Sequence, residues 1–146
     1  MAPESWQAVL AHAIRHDAPS AVPPRLLDLI RARLRRLDEI TQRVLGTAAI
    51  AGDCRHTEAL AAAAGVSAWT VARALDESTA AGLIDGERFS HDLVREATRG
   101  ALAAPVLRLL HGEVARAYAH CLPFETLAFH WWHAGDAGRA LTVTAD

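Results

Sequence analysis

Apolar residues recur at helical spacing along most of the chain. Leu26, Ile30, Leu34 and Leu37 follow one another at intervals of four, four and three, which sets them on one stripe of a helix. Pro24 suits the first turn of that helix, where its missing N–H costs nothing. Arg31, Arg33, Arg35 and Arg36 fill the rest of its circumference. Asp38 is placed to cap the next helix, which runs through Ile40, Val44, Leu45 and Ala48 to a stop at Gly52, with Glu39 at its positive end. An Ala-rich helix from His56 to Ala64 ends at Gly65. Ser67 then caps a longer one, Ala68 to Ala81, with Val71, Leu75 and Ser78 on its inner face. In Gly82 to Phe89 two glycines surround a short apolar pair, which predicts a small hairpin. Further helices are expected from Asp92 to about Ala103, from Val106 to Leu122 and from Glu125 to Ala134, with another beginning at Ala137. Upstream, a short helix is expected from Ser5 to about Arg15, before a breaker stretch that ends at Pro24.

Three helices followed by a hairpin is the order of a winged helix-turn-helix. Ala61, Gly65-Val66-Ser67, Thr70-Val71 and Leu75 fall at the spacings that motif uses. Ala permits close helix crossing, Gly makes the turn, Val and Leu fill the core, and Ser caps the second helix. The last two helices form an αα-hairpin at the spacing of a tetratricopeptide-like repeat. The expected fold is therefore all-α with a small β-hairpin wing, a winged helix-turn-helix followed by an α-helical, tetratricopeptide-like segment. Residues 1–21 are expected to form an N-terminal helix and linker, 22–103 the winged-helix domain, and 104–146 a helical linker and an incomplete repeat.

Composition narrows the class. With 146 residues, 51% hydrophobic and 22% charged, the chain is one ordinary domain, or a small domain plus part of another, and is not disordered. A net charge of −2 supplies no bulk attraction to nucleic acid or an anionic membrane. All fifteen basic residues are Arg, and Lys and Asn are absent, the codon bias of a GC-rich bacterial genome. No run approaches 18 apolar residues and the first residues lack the features of a signal peptide, so a cytoplasmic protein with no membrane partner is expected. Cys54 and Cys121 are far apart with no CxxC, and read as small buried hydrophobes in a reducing compartment.

The sequence has no phosphate-binding loop, no nucleophile elbow and no His-Glu-x-x-His, and a thiol two residues from His56 is a weak dyad. No catalytic residue and no enzyme activity is expected. His12 and His16, and His130 and His133, could each share a helix face, but neither pair has the third and fourth ligands a metal needs. No metal site is expected, and His130-Trp131-Trp132-His133 reads as an aromatic face packed between helices. The second helix of the helix-turn-helix offers Thr70, Arg73, Asp76, Glu77 and Thr79, one cation against two carboxylates, which disfavours a polyanion. A direct DNA reader, with Ser67, Thr70 and Arg73 on bases and Arg31, Arg35 and Arg36 on phosphates, is therefore the alternative. Otherwise those three Arg form a docking face.

Phe89-Ser90-His91-Asp92-Leu93-Val94-Arg95-Glu96 lies where the hairpin meets a helix. Unpaired first-turn N–H groups welcome an anion there, His91 can donate to a phosphate, and Asp92 caps or compensates the helix and can pair with Arg95. The plainer reading makes His91 a junction residue bonded to a carbonyl. Together with Val22-Pro23-Pro24-Arg25-Leu26, Ala49-Ile50-Ala51-Gly52, Ala80-Ala81-Gly82-Leu83-Ile84 and His130-Trp131…Ala134-Gly135-Asp136, this segment resembles the region after the ATPase core in large LuxR-type transcriptional regulators of the STAND class. The resemblance runs from about Val22 to the end. It implies a regulatory module detached from its ATPase core, with residues 1–21 a remnant of that core. His91-Asp92 resembles the Met-His-Asp motif of STAND winged helices, with Ser90 in place of Met. That likeness implies nucleotide sensing by His91 and Asp92. ADP or ATP is expected only with the core, and no cofactor on this chain alone. The implied partners are the core and repeat domains of the parent regulator, and other proteins through Trp131-Trp132.

Overall fold

Leu26, Ile30 and Leu34 do share one buried stripe, on α1 (Pro24–Arg36). The computed structural model describes residues 24–145, so the helix expected over Ser5–Arg15, with His12 and His16, lies outside the described residues. Arg33, Arg35 and Arg36 crowd the last turn of α1, where the helix end is partly negative, so the dipole alone accounts for part of that cluster. Leu37 falls just past the helix and is half-buried.

The second helix, α2 (Glu39–Ala51), is the centre of the fold. Asp38 Oδ1 accepts the Thr41 N–H at 2.7 Å to start it, and Gly52, at φ 114°, ends it with its N–H on the Ala48 carbonyl. Val44, Leu45, Ala48 and Ala49 are wholly inside, whereas Ile40 in the first turn is exposed. α3 (Thr57–Ala64) stops at Gly65, whose φ of 73° needs a residue without a Cβ penalty. α4 (Ala68–Ala80) follows at once, started by Ser67. Its buried residues are Val71, Ala74 and Ser78; Leu75, expected on that face, is only half-buried. The stripe advances by three and then four residues, which puts Ala74 under the helix and Leu75 at its edge.

Two short antiparallel strands come next, β1 (Ile84–Asp85) and β2 (Arg88–Phe89), with Ile84 opposite Phe89 and Asp85 opposite Arg88. Ile84 and Phe89 face the core and Asp85 and Arg88 face solvent, so the pair alternates as a one-sided hairpin must. Four helices complete the described chain: α5 (Asp92–Gly100), α6 (Ala104–Ala117), α7 (Phe124–His133) and α8 (Ala137–Ala145). The structure is thus mostly helical with one small antiparallel hairpin.

The sixth helix is displaced from the expected Val106–Leu122. It begins at Ala104 with Pro105 in its first turn and ends at Ala117. The Cys121 and Leu122 N–H groups both fold back onto the Tyr118 carbonyl, at 2.9 and 3.1 Å. Pro123 disfavours helical backbone at Leu122, and the Tyr118 side chain is drawn into the core, so the chain leaves the helix early.

Three apolar clusters hold the elements together. The largest joins α1 to α5 and the hairpin around Ile30, Val44, Leu45, Leu60, Val71, Leu83 and Val94. A second sets Leu110, Val114 and Tyr118 of the α6 region against Ile50 of α2 and Ala63 of α3. The third, Ala115, Trp131 and Ala140, ties α7 and α8 to α6. The α7–α8 pair meets the rest of the molecule principally through α6. Among the described residues no helix is long and apolar enough to cross a membrane.

Candidate functional site

The junction between β2 and α5 is built by its neighbours on both sides. Leu83, Ile84 and Phe89 anchor the hairpin in the core, and the Ser90 N–H donates to the Leu83 carbonyl at 3.0 Å. The Cys54 N–H reaches the Glu87 carbonyl at 2.8 Å, fastening the loop after α2 to the hairpin turn. His91 then leaves the strand in extended backbone, and its Nδ1 accepts the Leu93 N–H at 3.0 Å. The residue that caps α5 is therefore His91, and Asp92 contributes only a negative charge in the first turn. His91 is thus bonded to an amide, not to a carbonyl as the plainer sequence reading has it. Arg95, expected to pair with Asp92, donates its Nε–H to the Ala49 carbonyl at 3.0 Å and so ties α5 to α2.

The cap has a chemical consequence. With Nδ1 used as an acceptor, the hydrogen of a neutral His91 ring must sit on Nε2, so the free edge of the ring is a donor. Beside it lies a cleft of about 890 Å³ between the loop after α2, the hairpin and the start of α5. Its charged lining is Arg55, Arg88 and Arg95 against Asp53, Asp85, Glu87 and Asp92, and Arg55 is already paired with Asp53 at 3.0 Å. Such a lining does not concentrate a free polyanion. His91 itself does not line this cleft; its neighbours Ser90 and Asp92 do.

The other predicted residues fall on separate elements. Ser67 Oγ accepts the Thr70 N–H at 3.1 Å, and the two hydroxyls lie 3.0 Å apart, so both are engaged in starting α4. Arg73 is exposed one turn on, near enough to Asp38 to help hold that carboxyl below its usual range, though the Thr41 hydrogen bond does most of this. Glu77 accepts the Thr41 hydroxyl at 2.8 Å. Arg31, Arg35 and Arg36 are all exposed on α1, with Asp28 3.9 Å from Arg31. α1 packs on α5 whereas α4 packs on α2 and α3, so the two candidate contact faces are carried by different parts of the fold. Trp69, 86% exposed in the first turn of α4, is a surface feature the sequence pattern missed. Its place two residues before Val71, about 200° round the helix and so opposite the apolar stripe, was the available signal.

Two expectations need correction. Cys54 is buried, and burial first, then Asp53, pushes its thiol up to about 12; Cys121 is exposed in the turn after α6. Trp131 and His130 are buried and Trp132 is exposed, because neighbouring positions on a helix are about 100° apart and only one side of α7 meets α6; His133, one turn after His130, is exposed at the edge of that side. The aromatic run is split between core and surface.

A cluster absent from the sequence reading lies under α7. His111 on α6 and His130 on α7 place their Nδ1 atoms 2.8 Å apart in a buried contact. The His133 ring stacks on His111 at 5.1 Å between centroids, and Phe129 closes over both. Among the described residues no group of three or more His, Cys, Asp or Glu is arranged to hold a metal ion. Comparison with family models, with curated proteins and with solved structures found no match to this chain.

Proposed function

We propose that this chain is the regulatory winged-helix module of a STAND/LuxR-type ATP-dependent transcriptional regulator, running into a tetratricopeptide-like segment. The module acts as a lid that responds to the nucleotide held by an ATPase core. The observation that carries the reading is His91: with Nδ1 taken by the cap at the start of α5, a neutral ring keeps Nε2–H as a donor at a helix N-terminus, suited to a phosphate brought by a partner domain. The order of α2, α3, α4 and the hairpin supports the winged-helix assignment. The mixed charge of the neighbouring cleft supports a module that holds no nucleotide by itself. Arg31, Arg35 and Arg36 supply the docking face. In this reading ADP holds lid and core together, and exchange for ATP shifts the population to the released state.

The test separates the cap from the donor. In the intact regulator, His91→Asp keeps a cap acceptor but has no N–H, so the fold stays intact, ADP retention falls and basal activity rises. Unchanged ADP affinity overturns the sensor role. Trp69 and Arg73, exposed together on α4, favour a second reading as a direct DNA reader. Fluorescence anisotropy with random duplex DNA decides it: micromolar binding with a steep salt slope favours the reader, and no binding at low salt leaves the lid.

A further inference from the structure

The buried His111–His130 contact is a side-chain hydrogen bond across the seam by which α7 and α8 attach to the body of the molecule. Two nitrogens 2.8 Å apart share a single hydrogen. His130 Nε2 is buried with no partner. If His130 accepted, that atom would carry a stranded N–H; if it donates, the atom is a bare lone pair, which is the cheaper of the two. His130 Nδ1 is thus the donor and His111 Nδ1 the acceptor.

Neither ring can then take a second proton in place. On His111 the proton must land on Nδ1, where it destroys the bond and sets N–H against N–H. On His130 it lands on Nε2 and strands a buried cation. The groups acting on the pair add to this. Arg99 of α5 and His133 of α7 act on His111, and Arg95 of α5 and His133 act on His130. α2 and α3 also pack on α6, but among the described residues no group of theirs and no carboxylate is among those that shift the pair. Glu113, on α6 itself, is taken by Arg116 at 2.8 Å.

We infer that the seam between α6 and α7 is an acid-sensitive latch, in which proton uptake by the His111–His130 pair releases the α7–α8 hairpin while α1 to α5 stay folded. Burial first, and the like charges second, hold both rings down to about 4 in the docked state. A released histidine titrates near 6.5, about its ordinary value. Docking is therefore fully favoured above that pH and is lost as the pH falls toward 4. Between pH 7.5 and 5.0 the opening constant rises roughly tenfold or more for each histidine.

Amide hydrogen exchange of the full chain at these two pH values, corrected for intrinsic rates, tests the latch. Residues 124–145 are expected to lose protection by roughly a hundredfold or more at pH 5.0, the product of the two histidines' factors, while α2 and α4 keep theirs. The variant His130→Gln, which keeps a hydrogen-bonding group and cannot titrate, is expected to reduce the pH response. Nitrogen-detected NMR titration of the wild-type histidines needs no variant and covers the case in which it fails to fold. His111 and His130 titrating well below 6.5 support the latch. Ordinary titration of both, protection of 124–145 that ignores pH, loss of all elements together, or a wild-type pH response in His130→Gln would each overturn it.

Discussion

Tyr118 is 1% exposed, and its hydroxyl is buried without a hydrogen-bond partner. The ring is well housed: it packs with Ile50, Ala63, Leu110 and Val114 and meets the His56 ring edge-on at 5.9 Å between centroids. Ring and hydroxyl therefore act with opposite sign. Burying a hydroxyl with no compensating bond costs about 1–3 kcal/mol, whereas losing a large buried ring costs about 3–5 kcal/mol. The substitution Tyr118→Phe removes only the cost, so it is expected to stabilise the chain by about 1 kcal/mol or more. Tyr118→Ala is expected to destabilise it by the larger figure. Urea unfolding followed by far-ultraviolet circular dichroism measures both. With a slope of about 2 kcal/mol per M, the Phe variant should raise the midpoint by roughly 0.5 M. The same burial, with Asp53 and the two cysteines as smaller contributors, pushes the phenol upward, so the group is neutral at ordinary pH and no charge effect enters. A Phe variant less stable than wild type by 1 kcal/mol would refute the reasoning, because the hydroxyl would then be making a bond of that worth.

Other outcomes follow from the same packing and capping. Leu45→Ala, at a fully buried position on the central helix, should lower stability by about 3–5 kcal/mol in urea or thermal unfolding, and a loss under 1 kcal/mol would mean the core collapses around the gap. Ser67→Ala should cost about 1 kcal/mol by removing the α4 cap, and Ser67→Asp should recover most of it; equal losses in both would show that the cap bond is not the cause. A thiol reagent at pH 8 should modify Cys121 rapidly and Cys54 only on unfolding, two fast thiols being the contrary result. The raised thiol of Cys54 favours the fold below the ordinary thiol range, and that contribution is lost as pH rises toward about 12.

What the amino-acid order determined by itself was local. Asp38 and Ser67 start helices and Gly52 and Gly65 end them, because a cap bond spans three residues and a left-handed turn needs only the residue that makes it. The stripe on α1 and the hairpin register follow from periods of 3.6 and 2 in the same way. At the β2–α5 junction the start of a helix was legible, while the division of labour between His91 and Asp92 was not, since both residue types can occupy a first turn. Tertiary structure decided the rest. The inward turn of Trp131, the outward turn of Trp132 and the exposure of Cys121 depend on which helix arrives over each face. His111 and His130 are nineteen residues apart on different helices, and no local pattern couples them. Their bond exists because the turn from Tyr118 to Pro123 folds α7 back along α6, and that long-range packing, unlike a cap or a stripe, leaves no short-range mark in the sequence.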